Sequence, residues 1–295
     1  MHYVNSFHDD HRTEIVAKIQ ACNWKRQTDT DFSNLASKLK AIPSLQPLFQ
    51  EPETLPEFTE DRPEVPVENG SLVKNGKPPS ATTPKNLSER GIFVVSKHEK
   101  YAISDCVAFF LRELTEYCNL CSMLPSITID LGLKMAELFT TVNSTITQMV
   151  LGAGAIKVET MKTITIKELA LDMRSVQLIL RILPFVLVHF QTTYKEKHIS
   201  MSSKAVNGAS PDVTKAELKK LDSLKRQVDK AYVSIKDHIE ELHNKIADIG
   251  FGIVRKHFLD WVDVGPAKQT PSTQFKVIGR QLSRLLEGME DTLPR

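Results

Sequence analysis

The sequence is poor in cysteine, in net charge and in long apolar runs. Its 295 residues include only four cysteines, at positions 22, 106, 118 and 121. Their number and spacing exclude the disulfide framework of a small secreted domain and indicate a reducing, cytosolic setting. The 38 basic and 36 acidic residues leave a net charge of +2. This near balance argues against a protein that binds nucleic acid by neutralising phosphates.

The most apolar run, residues 176–190, is shorter than the ~20 residues that a transmembrane helix needs. It also contains Arg181, Pro184 and His189. We therefore expect a buried helix here, with any membrane contact made through partners. The first ten residues lack the basic and apolar blocks of a secretory signal, so no targeting peptide is predicted.

Composition and periodicity predict an organisation in four parts. Residues 1–42 form a short helical segment. Nine of the fifteen prolines lie between Pro43 and Pro84, which predicts a disordered Pro-rich linker over residues 43–95 because such a stretch buries too little apolar surface to fold. Residues 96–262 are predicted to form a helical bundle. Residues 263–295 are interpreted as the truncated start of a carboxy-terminal helical bundle.

Apolar residues recur every three or four positions beyond Ile92, which is a helical period. They predict helices from about Ser96 to Ser122 and from Ile127 to Leu151, and a third that is capped by Thr165 and bends at Pro184. A helix of about fifty residues follows, from Ser210-Pro211-Asp212 to near Trp261, because serine, proline and aspartate stand in the favoured order for a helix start. The predicted fold is all-α, made of elongated stacked helical bundles, with no sheet.

Gly152 and Gly154 resemble part of a dinucleotide-binding loop. That loop needs a preceding strand and a third glycine, whereas Lys157 stands at the third position and a helical period precedes Gly152. The two glycines are therefore predicted to form a structural corner between helices, with a positive φ in at least one of them. The alternative is a cytosolic helical enzyme or nucleotide-binding protein that uses this corner.

Other candidate chemistry is weak. Cys118 and Cys121 have the C-x-x-C spacing of a redox site or half a zinc site, but they lack a second ligand pair of convincing context, so core packing is favoured. His238 and His243 lie five apart on the long helix. The cluster from His8 to His11 is expected to be solvated. We therefore predict no catalytic, cofactor-binding or metal-binding residues, and expect a protein that is not an enzyme.

The long helix provides a candidate contact with a partner. Its length exceeds the diameter of a compact domain, so part of its apolar seam must face another bundle or another subunit. Leu221 and Leu224 lie near the basic residues at its start and are the predicted partner seam. The seam from Ile239 to Ile253 is expected to pack with the final helix.

A family resemblance rests on short motifs in a fixed order. The most specific are Leu151-Gly-Ala-Gly-Ala155, Met161-Lys-Thr-Ile-Thr165 and Leu169-Ala-Leu171, with Tyr3-Val-Asn-Ser-Phe-His8 and Asn23-Trp-Lys-Arg-Gln27 before them. In these motifs the chain resembles the vacuolar protein sorting-associated protein 54 family, whose members are subunits of the Golgi-associated retrograde protein (GARP) complex, a vesicle tether. The similarity spans nearly the whole chain except the linker.

The resemblance implies a helical tether subunit that captures endosome-derived carriers at the trans-Golgi network ahead of SNARE-driven fusion. It implies the other GARP subunits as partners, SNARE contact through an amino-terminal region absent here, and peripheral membrane association through those partners. The implied location is the cytosolic face of the trans-Golgi network, and endosomes. The family offers no catalytic residues, cofactor or nucleic-acid partner to carry over.

Overall fold

A computed structural model describes residues 2–24, 32–50, 92–96, 99–152, 165–202, 211–264 and 271–290. The fold is all-α, apart from one small hairpin. In the described residues the helices are α1 (His2–Gln20), α2 (Ser33–Lys40), α3 (Asp105–Met123), α4 (Thr128–Val150), α5 (Ile166–Ser202), α6 (Pro211–Val264) and α7 (Pro271–Glu290). Short 3₁₀ helices cover Pro43–Phe49 and Pro125–Ile127.

The hairpin consists of β1 (Ile92–Val94) and β2 (Lys100–Ala102), which pair antiparallel with Phe93 opposite Tyr101. Both of these aromatic side chains are buried. The Arg174 guanidinium from α5 lies 4.4 Å from the centre of the Tyr101 ring. The prediction of helix from Ser96 without a sheet is therefore wrong, because burial of Tyr101 against α5 draws this segment into a strand. The first bundle helix begins at Asp105 instead.

The predicted linker boundary at Pro43 is also wrong. Pro43–Phe49 forms a 3₁₀ helix that packs against α5, with Leu45 and Leu48 buried. Proline suits the first position of a helix, and residues three apart share one face of a 3₁₀ turn. The predicted end of the linker at residue 95 is wrong as well, because Ile92–Val94 forms β1 and Phe93 and Val95 are buried. Residues 51–91 of the predicted linker lie outside the described residues.

The core forms where α6 packs lengthwise on α4 and α5, and where α1 packs on α3 and α4. Gly132 in α4 allows the close approach of α6. A Cβ at this position would lie 3.1 Å from Leu224 Cδ2 and 3.2 Å from Phe190 Cδ1. Phe110 and Phe139 meet edge to face at 5.2 Å between ring centres, which joins α3 to α4.

The long helix is confirmed with a start at Pro211 and an end at Val264, slightly beyond the predicted Trp261. The preceding helix, α5, continues to Ser202 and carries Pro184 in its interior without ending there. Residues 203–210 lie outside the described residues.

Candidate functional site

The predicted corner at Gly152 terminates a helix. α4 ends at Val150, and the N–H groups of Leu151 and Gly152 donate to the Thr147 carbonyl oxygen at 2.8 and 3.2 Å. A Cβ at Gly152 would lie 2.7 Å from the Gln148 carbonyl oxygen, so the preceding turn leaves no room for a side chain. Gly152 itself does not have a positive φ, and the close approach is what requires glycine there. The prediction of a positive φ in at least one of the two glycines now depends on Gly154. Gly154 lies outside the described residues.

This geometry bears on the nucleotide alternative. A dinucleotide loop follows a buried strand and opens a helix, so that free backbone N–H groups point at the pyrophosphate. Here a helix of 23 residues precedes the corner, and the N–H of Gly152 is already bonded to Thr147. The corner at Gly152 therefore lacks the structural context of a dinucleotide loop.

The predicted partner seam lies mostly inside the bundle. Leu224 is 1% exposed and packs between Gly132 and Phe190. Leu221 is half-buried and packs against the same core. The prediction that this pair faces a partner is thus corrected for Leu224, because α4 and α5 already cover it.

Burial along α6 decreases toward its carboxy-terminal end. Six apolar residues from Leu224 to Leu242 are buried at helical spacing: Leu224, Val228, Ala231, Ile235, Ile239 and Leu242. Farther along, Ile246 and Ile249 are only half-buried, and Phe251 is 74% exposed. A Cβ at Gly250 or Gly252 would meet no described atom within 4 Å. We call residues 246–256 the distal segment; its described apolar side chains are more exposed than those from Leu224 to Leu242.

A buried polar cluster joins α4, α5 and α6. His238 Nδ1–H donates to Asn143 Oδ1 at 2.9 Å, and Asn143 Nδ2–H donates to Ser234 Oγ at 3.0 Å. His238 Nε2 lies 3.5 Å from Asp172 Oδ2, and both side chains are at most 2% exposed. Burial raises the pKa of Asp172, while His238 opposes that shift.

This cluster is structural, because a substrate has no access to groups so deeply buried. It also separates the two histidines that the sequence places five apart. His238 is buried, whereas His243 is exposed. The two rings therefore do not form a ligand pair.

A second polar cluster joins α1 to α3 and α4. His8 Nδ1 lies 2.9 Å from Tyr117 Oη, and His11 pairs with Glu113. His8 is fully buried, so the prediction that this cluster is solvated is wrong for His8. Burial lowers the pKa of His8, with Glu137 acting in the opposite direction. The contacts bind α1 to the bundle through its polar residues.

The cysteines fall into two pairs. Cys118 and Cys121 are buried in the core, and burial raises the pKa of both thiols, which agrees with the preference for packing. Cys22 and Cys106 come together beside Asp105, with the three potential ligand atoms within 4.8 Å of one another. Sequence spacing gave no signal for this second pair, since a long stretch of chain separates its members.

None of the helices in the described part of the chain combines the length and apolarity that crossing a bilayer requires. The apolar run of residues 176–190 lies within α5, where Val176, Ile179, Leu183 and Val186 are buried in the protein core. The expectation of a buried helix is therefore confirmed for this run.

Comparison with known proteins identifies the family. A family model described as Vps54-like protein matches residues 98–250. Vacuolar protein sorting-associated protein 54 of Rattus norvegicus is 26% identical over 294 residues, which cover 99% of this chain and 25% of that protein. The Homo sapiens protein of the same name is 25% identical over 293 residues, covering 99% of this chain and 24% of its own length.

A relative from Arabidopsis thaliana, vacuolar protein sorting-associated protein 54, chloroplastic, is 32% identical over 84 residues, or 28% of this chain and 8% of that protein. No solved structure matches significantly. The chain spans about a quarter of the length of the rat and human relatives. Because the family model matches just over half of the residues, the chain belongs to the Vps54-like family.

Proposed function

We propose that the protein is a subunit of a vesicle-tethering complex that acts in retrograde transport from endosomes to the trans-Golgi network. The observation that carries the proposal is the family match over residues 98–250, which runs from β2 through α3, α4 and α5 and most of α6 and so covers the central helices of the bundle. The vacuolar protein sorting relatives match almost the entire chain. A packed bundle with a long, partly uncovered helix suits assembly with other subunits.

The proposed partners are the other subunits of the GARP complex. The protein works at the cytosolic face of the trans-Golgi network and on endosomes, and its membrane association is peripheral and made through those partners. SNARE contact is assigned to parts of the relatives that this chain does not span. Catalysis and a bound cofactor have no place in the proposal.

The distal segment is the proposed contact with another subunit, in place of Leu221 and Leu224. A large aromatic side chain such as Phe251, 74% exposed on a helix, is typical of the anchors that carry binding energy at interfaces. Ile246 and Ile249 are half-buried beside it. Together they extend the apolar seam of α6 beyond Leu242.

The test compares two aspartate variants of equal exposure in tagged full-length chain expressed in cells. Phe251→Asp alters the distal segment, and Met123→Asp alters the end of α3, where Met123 is 76% exposed. We expect Phe251→Asp to keep the melting temperature but to lower recovery of tether subunits and slow the return of endosomal cargo. Met123→Asp should leave the melting temperature, the recovery of tether subunits and the return of endosomal cargo unchanged.

Two results would count against these statements in different ways. Normal partner recovery by Phe251→Asp refutes the placement of the contact. Failure of the unmodified chain to recover any tether subunit, judged by mass spectrometry of the purified material, refutes the proposed function. Thermal-shift measurements with ATP and NAD check the nucleotide alternative, because a ligand that binds the native state raises its melting temperature.

A further inference from the structure

The end of α1 and the start of α3 bring two thiols and a carboxylate together. Cys22 follows α1, while Asp105 and Cys106 are the first two residues of α3. Cys22 Sγ lies 3.1 Å from Asp105 Oδ1, and all three ligand atoms lie within 4.8 Å of one another. Cys22 is 3% and Cys106 0% exposed, whereas the Asp105 side chain is 21% exposed and open to water.

These separations are close to those of ligands around one zinc ion. Tetrahedral Zn²⁺ has Zn–S bonds of about 2.3 Å and Zn–O bonds of about 2.0 Å, which place two sulfurs about 3.8 Å apart and a sulfur and an oxygen about 3.5 Å apart. Thiolates are soft ligands that favour zinc over magnesium or calcium. Small side-chain rotations are therefore enough to close the three atoms around a metal.

The surroundings of the sulfurs provide a second, independent observation. The backbone N–H of Trp24 donates to Cys22 Sγ at 3.4 Å, and Ser104 Oγ lies 3.1 Å from Cys106 Sγ. Trp24 has φ = 52°, a left-handed conformation that is rare for a bulky residue and persists only where its surroundings fix it. This turn directs an N–H at the sulfur, as outer-shell donors do for ligating thiolates.

The charges also balance. Lys18 Nζ lies 3.3 Å from Asp105 Oδ2, while Oδ1 accepts the hydrogen bond from Cys22 Sγ and can bind the metal once the thiol proton leaves. Two thiolates and one carboxylate around Zn²⁺ carry a net charge of −1, and the Lys18 ammonium neutralises it. Each sulfur binds the metal as a thiolate, so its S–H bond breaks as the Zn–S bond forms. Binding therefore releases the two thiol protons to solvent and leaves no uncompensated charge.

We propose that Cys22, Asp105 and Cys106 bind one Zn²⁺, with a water molecule in the fourth position. The metal links the end of α1 to the start of α3 and so holds the amino-terminal helix on the bundle. The proposal is independent of the tether function, since it rests on the ligand geometry alone.

The experiment measures zinc on the full chain, purified in a thiol-free reductant, by elemental analysis and by competition with a chromophoric chelator. We expect one zinc per chain. Cys22→Ser and Cys106→Ser should each weaken zinc binding by more than about tenfold, since loss even of an outer-shell partner costs that much. Cys121→Ser is the matched control, because it removes a buried thiol that lies outside the cluster, and it should bind zinc as the unmodified chain does.

X-ray absorption of the zinc-loaded, unmodified chain keeps the proposal testable if a serine variant does not fold. Two sulfur neighbours at about 2.3 Å and lighter atoms in the remaining positions are expected. A shell of four sulfurs or of none overturns the proposal. So does equal zinc affinity in the unmodified chain and both ligand variants, or a chain that takes up no zinc and joins Cys22 to Cys106 in a disulfide.

Discussion

Replacing Leu224 with alanine tests whether the amino-terminal half of α6 is internal to the bundle. Leu224 is 1% exposed, and truncation of a buried leucine to alanine costs about 2–5 kcal/mol through lost burial and the cavity that remains. Leu218 is on the same helix and is 59% exposed. Leu218→Ala should therefore change the free energy of unfolding by no more than about 0.5 kcal/mol.

Replacing Gly132 with alanine provides a second test of the contact between α4 and α6. A Cβ at Gly132 would meet Leu224 Cδ2 at 3.1 Å, Phe190 Cδ1 at 3.2 Å and Leu224 Cδ1 at 3.3 Å. Overpacking costs about 1–3 kcal/mol, while replacing a helical glycine by alanine recovers about 1 kcal/mol. Gly132→Ala alone should thus destabilise by about 0–2 kcal/mol. In the Leu224→Ala background two of the three close contacts are gone, and the same change should stabilise by about 1 kcal/mol.

Urea unfolding followed by circular dichroism at constant pH measures all four chains of this double-mutant cycle. We expect a coupling energy of at least about 1 kcal/mol, in the range found for residues in contact. Additivity within about 0.5 kcal/mol would refute the contact between α4 and α6. If Leu224→Ala lowered the free energy of unfolding by less than about 1 kcal/mol, the burial of Leu224 would be contradicted and the partner-facing position predicted from the sequence would be favoured.

The remaining predictions concern the corner and a buried histidine. Gly152→Ala should lower the free energy of unfolding by about 1–3 kcal/mol, because its Cβ would lie 2.7 Å from the Gln148 carbonyl oxygen; a chain as stable as the original in urea contradicts that close approach. Burial lowers the pKa of His189, although its bond to the Cys118 carbonyl acts the other way. The unfolded chain then binds this proton more tightly, so stability is fully present above about pH 6.5 and falls as pH decreases through the lowered pKa. The melting temperature of His189→Gln should fall less than that of the original chain when the pH is lowered from about 7.5 to about 5.5. An equal fall in both chains contradicts the lowered pKa of His189.

The sequence predicted the helices well because their signals are local. The apolar spacing along α6 and the Ser210-Pro211-Asp212 start signal depend on neighbours within a few turns, and the helix begins at Pro211. The stop of α4 near Gly152 has the same origin. Local signals also rejected the nucleotide-loop interpretation, since a helical period before Gly152 is visible in the sequence.

The contacts that the sequence did not predict join residues far apart in the chain. Tyr101 becomes part of a strand because α5 supplies Arg174 and a buried surface. Asp172 is tolerated in the core because His238 reaches it from α6. Cys22 meets Cys106 only when α1 docks on α3. In each case the deciding partner lies outside any local window, so pattern and propensity carry no information about it.

The lengths of the helices explain why the proposed partner contact moves from the start of α6 to its distal segment. At 1.5 Å per residue, the 54 residues of α6 extend about 81 Å, whereas the 37 residues of α5 extend about 55 Å. At least about 25 Å of α6 therefore has no α5 beside it, wherever the two are aligned. Periodicity shows which face of α6 is apolar, but it does not show which end of α6 extends beyond the helices that pack against it.

Burial along α6 determines which end this is. The buried seam runs from Leu224 to Leu242. Beyond Leu242, Ile246 and Ile249 are only half-buried and Phe251 is 74% exposed, so part of the surplus length lies in the distal segment. α7 covers that surplus only in part, because its described apolar residues are half-buried and Leu286 is 57% exposed. An apolar seam that continues past its intramolecular neighbours needs another surface to exclude water from it. This is why we propose the distal segment with Phe251, rather than Leu224, as the contact with another subunit.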